Sequence, residues 1–188
     1  MKKVLLILFQ RYADFEIAHA LFLLHKIGSA QIISVSIDGE AIKSIGGLVT
    51  AVSSALSHIR VVDYDLILIP GGDGIQELLT EKVVSTVLRD AYDSRIPIAS
   101  MCASAVLLAQ AGILEGKRFT CLTHSFNYYR SFFTEGIYTG NDCEVSDLVV
   151  TAKGTAFAEF ALITCQIIGM NFDDEQLKKW KKFCKGSA

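Results

Sequence analysis

Apolar runs of four to six residues, such as Val4-Leu5-Leu6-Ile7-Leu8-Phe9 and Leu66-Ile67-Leu68-Ile69, alternate in this chain with longer stretches whose apolar residues recur at helical spacing. A strand that is apolar at every position is buried on both faces, and this happens where helices cover both sides of a parallel sheet. The chain is therefore expected to be α/β, a three-layer α/β/α sandwich around a mostly parallel sheet. The pattern predicts main strands over residues 4–9, 31–36, 66–69 and 96–101, with shorter ones over 118–122, 143–145 and 148–152. Helices are predicted over 15–27, 76–92, 103–111, 155–169 and 173–183, with Gly28 and Gly112 as stops. Residues 41–53, with Gly46-Gly47 in the middle, read as a hairpin excursion.

A length of 188 residues, 51% of them hydrophobic, suits a single domain over 1–188. The net charge of -2 gives no basic field for nucleic acid. The clustered Lys178, Lys179, Lys181, Lys182 and Lys185 read as a solvated helix face. Met1-Lys2-Lys3 ahead of the first apolar run resembles a signal sequence only superficially, because the run is short and no small-residue cleavage site follows. No stretch approaches the roughly 20 apolar residues that cross a bilayer, so neither a membrane nor a nucleic-acid partner is expected and the protein is expected to be cytoplasmic. The five cysteines are widely spaced and contain no C-x-x-C, which suggests free thiols, no metal site and no cofactor.

In open parallel sheets, sites form beyond the carboxyl ends of the strands. Three junctions on that edge stand out, at residues 9–16, 70–74 and 101–104. Cys102 lies between a strand and a helix with Ser100 and Ser104 two residues to either side, the small flanks that a nucleophile elbow requires. A helix N-terminus there would favour thiolate over thiol. The plainer reading is a small core filler. Glycines of Pro70-Gly71-Gly72-Asp73-Gly74 could aim an amide at the sulfur, with Gly72 and Ala103 as the two halves of an oxyanion hole, or could simply make a tight turn. Glu16 could be a protonated carboxyl bonded to a thiolate, or a first-turn carboxylate complementing the helix dipole behind Asp14 as N-cap. His124, after the strand at 118–122, could reach the crevice or sit on the surface; His19 is a weaker candidate.

Taken in order, these junctions resemble the ThiJ/PfpI superfamily. Residues 3–16 are similar to its first strand and acidic segment, placing Glu16 on the family's site glutamate. The segment Tyr64-Asp65-Leu66 through Gly72 resembles its D-x-L-x-L-P-G-G pattern. Ile96-Pro97-Ile98-Ala99-Ser100-Met101-Cys102 with Leu107-Leu108-Ala109-Gln110-Ala111-Gly112 resembles its cysteine block, and Gly154-Thr155-Ala156-Phe157 its last helix start. The resemblance implies a flavodoxin-like, class I glutamine-amidotransferase-like fold, Cys102 as the reactive cysteine and a homodimer. Departures narrow what it implies. Ala103 stands where peptidase-type members carry His. Leu122 falls nearest the site His of deglycase-type members, two residues from His124. No His-x-Glu pair is present for ammonia transfer from glutamine, and Ser104-Ala105 replaces the usual Gly-Pro.

The expected function is that of a cysteine-dependent hydrolase or lyase, peptidase- or amidase-, deglycase- or glyoxalase-like, acting on a small-molecule or peptide substrate. Its site would be Cys102, Glu16 and His124, with the Gly72 and Ala103 amides. The alternative is a non-catalytic redox-sensing or stress-response protein using the same thiol.

Overall fold

The computed structural model describes residues 1–186; Ser187 and Ala188, the last positions of the domain expected over 1–188, lie outside the described residues. In chain order the elements are β1 (Lys3–Ile7), α1 (Asp14–Leu21), β2 (Gln31–Ser36), β3 (Ile42–Lys43), β4 (Val49–Thr50), β5 (Ser54–Ala55), β6 (Leu66–Ile69), α2 (Ile75–Leu79), α3 (Lys82–Asp93), β7 (Ile98–Met101), α4 (Ala105–Gln110), β8 (Arg118–Phe119), α5 (Thr123–Tyr128), β9 (Ile137–Tyr138), β10 (Cys143–Ser146), β11 (Val149–Ala152), α6 (Phe157–Ile167) and α7 (Asp174–Cys184).

The main sheet has seven strands in the order β10-β11-β7-β6-β1-β2-β5. Every neighbouring pair is parallel except β10 with β11. Its centre is made by the continuous apolar runs: Leu5 pairs with Ile33 and Ile67, and Leu68 pairs with Ala99. Leu5, Ile67, Leu68 and Ala99 have no solvent exposure. Helices α1, α6 and α7 pack in one group and α2, α3 and α4 in another, which gives the two helical layers of an α/β/α sandwich. Because β1, β6 and β7 are neighbours, the junctions that follow them meet at one edge.

Local structure departs from the sequence reading in three places. The helix expected to Ile27 changes after Leu21 into a wider π-helical turn, Phe22–Ile27. Gly28 has an ordinary φ of -89°, and the left-handed residue is Ser29. A Cβ at Gly28 would meet the flexible end of the Met170 side chain and come within 2.9 Å of Leu24 O. The helix expected over 76–92 is interrupted between α2 and α3, where Thr80 Oγ1 donates to Glu77 O at 2.8 Å and closes the first helix locally. The strand expected over 118–122 shrinks to β8, which pairs with β9 in a separate two-stranded ribbon. Side-chain bonds replace the ladder there: the Thr120 N–H donates to Thr151 Oγ1 at 3.0 Å and its hydroxyl to Asn141 O.

The excursion at 41–53 forms the antiparallel hairpin β3–β4, and the lysines of α7 are exposed. The N-terminus of α7 is closed by a capping box, in which Asp173 accepts the Gln176 N–H at 2.7 Å and Gln176 Oε1 accepts the Asp173 N–H at 3.1 Å.

Candidate functional site

Cys102 sits where β7 ends, in the left-handed region at φ +58°. An L-residue costs about 1–2 kcal/mol there. Ser104, in the 3-10 turn Cys102–Ser104, holds the bend: its hydroxyl oxygen accepts the Met101 N–H at 3.0 Å and its hydrogen lies within reach of Met101 O at 2.6 Å. Ser100 Oγ is 2.9 Å from the same hydroxyl. The two small flanks are thus a buried polar clamp under the elbow as well as room for it. Gly71 passes over the elbow so closely that a Cβ on it would lie 2.5 Å from both Cys102 Cβ and Glu16 Oε2.

Glu16 lies in the first turn of α1, yet its side chain turns inward and is only 3% exposed. The Gly71 N–H donates to its Oε2 at 2.8 Å. The loop carrying Glu16 is fixed to the glycines by a bridge between Tyr12 and Gly72, whose bonds run from Ala13 N to Gly71 O (2.8 Å) and from Asp73 N to Arg11 O (3.1 Å). These bonds use the residues flanking the bridge, so the Gly72 amide is left out of it. Asp14 is the first helical residue rather than the N-cap; its carboxylate accepts the Phe15 N–H and the Ser44 hydroxyl.

Burial pushes the Glu16 carboxyl from an ordinary 4.5 up to about 7, against the opposing hydrogen bonds from Gly71 and Cys102. The thiol corrects the sequence reading. A helix terminus was expected to lower its pKa, but burial and the adjacent Glu16 charge push it up to about 12, and the Ala103 N–H offsets only part of that rise. The reason is structural: the chain leaves Cys102 through a short 3-10 turn into a six-residue helix, and the sulfur is nearly closed off from water. With the carboxyl beside it, the thiol belongs to a coupled pair whose two groups compete for protons.

The structure therefore brings Cys102, Glu16, Gly71, Gly72 and Ala103 to one edge. His124 is exposed in the first turn of α5, a helix that packs against the Cys102–Ser104 turn, and no hydrogen bond joins it to Cys102 or Glu16 among the described residues. His19 stacks on Phe157 with ring centroids 5.2 Å apart, and its buried Nδ1 has no hydrogen-bond partner among the described residues. Two glycines have roles at the site that the sequence reading did not assign, although Gly71 lay in one of its candidate junctions. Gly71 supplies the amide to Glu16. Gly154, after β11, lies so close that a Cβ would collide with Glu16 Oε1 and come within 3.1 Å of Cys102 Sγ. The available signal for Gly154 was its place at the carboxyl end of a fourth strand of the same sheet.

A family profile of the DJ-1/PfpI family matches residues 2–166. The chain belongs to the DJ-1/PfpI family. Among DJ-1/PfpI relatives, a Caenorhabditis elegans protein named glutathione-independent glyoxalase DJR-1.2 is 32% identical over 141 residues, covering 72% of each chain. The Bacillus subtilis protein named uncharacterized protease YdeA is 26% identical over 169 residues, covering 89% of this chain and 84% of its own. The crystal structure of the DJ-1 superfamily protein Atu0886 from Agrobacterium tumefaciens covers all of both chains with a TM-score of 0.87 at 26% identity. Among the described residues, no helix is long and apolar enough to cross a membrane.

Proposed function

We propose that the protein is a cysteine-dependent hydrolase or lyase acting on a small electrophile, with Cys102 as nucleophile and Glu16 as its proton acceptor. The observation that carries this reading is the buried Glu16 carboxyl, raised to about 7 and seated against a thiol in a strained left-handed turn. A base titrating near neutrality is matched to taking a proton from a thiol that holds it firmly. Sulfur attacks the electrophilic carbon and the C–S bond forms. The electrons of the C=O π bond move to oxygen and the S–H proton moves to a Glu16 carboxylate oxygen. In this reading the Gly72 and Ala103 amides hold the oxyanion, and Glu16 returns the proton to oxygen or to the leaving group as the adduct collapses. The base role falls to Glu16, and His124, exposed on α5, takes no part in the proton transfer.

Relatives named as a protease and a glyoxalase suit an amide or reactive-carbonyl substrate. The deciding experiment offers the protein a dicarbonyl and a peptide amide. Turnover of one of them, lost in Cys102→Ser and strongly reduced in Glu16→Gln, is the expected result; undiminished turnover in Cys102→Ser overturns the reading. A redox-sensing role has less support, because oxidation favours exposed thiolates and Cys102 is buried with a raised pKa. Peroxide treatment that oxidises Cys102 selectively, with no substrate turned over, would restore it.

The reading extends to location and assembly. All five cysteines are free, as suits the cytoplasm. Phe15 on α1 and Ile45, Leu48 and Val49 on the β3–β4 hairpin are exposed apolar residues, and several of them line a groove of about 420 Å³, the surface on which a second copy would pack to form a homodimer.

A further inference from the structure

We infer that Arg11 and the Gly71–Asp73 loop form a carboxylate subsite beside Cys102, so that the substrate carries a carboxylate next to its reactive carbon. This rests on the reading of Cys102 as a nucleophile and goes beyond it by naming the substrate's charge.

Arg11 occupies the left-handed region, at φ +60°. Two backbone bonds keep it there: its N–H donates to Lys43 O at 2.8 Å, and its carbonyl accepts the Asp73 N–H at 3.1 Å. The same loop carries Gly71, which touches both Cys102 and Glu16, and Gly72, whose Cβ position is filled by the Arg11 carbonyl. Arg11 thus stands on the rim of the loop that roofs the thiol. Its guanidinium meets Asp73 through a single contact, Nη2 to Oδ2 at 2.7 Å, and both side chains are more than half exposed. An ion pair so open to water adds little to stability. The strained backbone beneath it is therefore not repaid by that pair, and a strained, hydrogen-bonded rim residue points to a binding role.

The chemistry fits one ligand class. A guanidinium has five N–H donors in a planar fork suited to a carboxylate, and the Asp73 contact uses only one. Three other charges at this edge are engaged, while the exposed Lys43, whose carbonyl accepts the Arg11 N–H, adds a second positive charge beside it. Glu16 is buried on the Gly71 amide, Asp14 is bound by Ser44, and the largely buried Lys153 is paired with Asp142. An incoming carboxylate can take the free side of the fork or displace Asp73.

The test compares two alkylating probes of the same shape, anionic iodoacetate and neutral iodoacetamide, with the rate at Cys102 followed by mass spectrometry. In both, the S–C bond forms, iodide leaves and the thiol proton passes to Glu16 or water. Arg11→Gln should lower the iodoacetate rate about tenfold while iodoacetamide changes less than about twofold. Arg11→Gly, which suits the left-handed backbone, guards against a folding defect and should do the same. Asp73→Asn, which removes the competing carboxylate, should raise the iodoacetate rate. An iodoacetate-to-iodoacetamide ratio unchanged in both Arg11 variants overturns the subsite while leaving the nucleophile intact. No modification of Cys102 by either probe in the wild type overturns the nucleophile and the subsite together, and a thiol that takes iodoacetamide but not iodoacetate overturns the subsite alone.

Discussion

The carboxyl of Glu16 and the sulfur of Cys102 meet beneath two glycine backbones: Gly71 donates its amide to Glu16 Oε2 at 2.8 Å, and Gly154 leaves no room for a Cβ between Glu16 Oε1 and the thiol. A helix-borne acid and an elbow-borne thiol, 86 residues apart in the chain, are thereby pressed into one proton-sharing pair. Burial raises both groups, so at neutral pH the pair holds its protons more tightly than either group would in water.

The first consequence is for stability. A carboxyl raised from 4.5 to about 7 on folding makes the native state bind more protons than the unfolded chain between those values, so the contribution of Glu16 is fully present below pH 4.5 and is lost as pH rises through 7. The shift corresponds to about 3 kcal/mol. Glu16→Gln, which carries no charge, should therefore be more stable than the wild type at pH 8, by up to that amount, and nearly equal to it at pH 4. Denaturant unfolding at the two pH values checks this; a variant less stable at pH 8 would contradict the burial of an ionising carboxyl.

The second consequence is for reactivity. If Glu16 accepts the thiol proton, alkylation of Cys102 by iodoacetamide should rise through about pH 7 as Glu16 ionises. In Glu16→Gln that rise should vanish, leaving a reaction at least about a hundredfold slower at pH 8. The residual rate should climb only in alkaline solution, because burial still holds the thiol above its ordinary value once the Glu16 charge is gone. A wild-type profile flat between pH 5 and 9 would rule out the proton transfer.

How much of this was legible beforehand follows from what each signal encodes. Residues 4–9 and 66–69 reveal buried parallel strands because burial on both faces leaves no polar position, and the carboxyl-edge junctions follow from that topology. The elbow at Cys102 is marked by Ser100 and Ser104. What sequence could not show was the balance of burial against the local amides, which decides whether the thiol pKa falls or rises. Nor could it show the helix interruption at Thr80, where one side-chain bond closes α2, or the closeness of Gly154 to the inward-turned Glu16 side chain, which joins residues 138 positions apart in the chain.

The exposed apolar face carries the third expectation. With Phe15 55%, Leu48 59% and Val49 72% exposed on α1 and the hairpin, the wild type should sediment as a dimer at micromolar concentration, and Phe15→Asp with Leu48→Asp should sediment as a folded monomer. A monomeric wild type would remove the homodimer from the reading.

The last expectation isolates the contact between acid and thiol. The Gly154 backbone is outside the left-handed region, so Gly154→Ala adds one methyl group without forcing an unfavourable φ. That methyl group enters the space held by Glu16 Oε1 and crowds Cys102 Sγ, and the carboxyl must swing away to admit it. Overpacking of this kind costs about 1–3 kcal/mol. It also separates base from nucleophile, so the alkylation rate of Cys102 at pH 8 should fall toward that of Glu16→Gln while the pH-dependent stability gap of the wild type narrows. Gly47→Ala, in an open hairpin turn at φ +88°, provides the contrast: it strains the backbone at a position where the added methyl group meets nothing, and should leave the Cys102 rate unchanged. If Gly154→Ala reacts at the wild-type rate, the Glu16–Cys102 contact does not set the reactivity of the thiol.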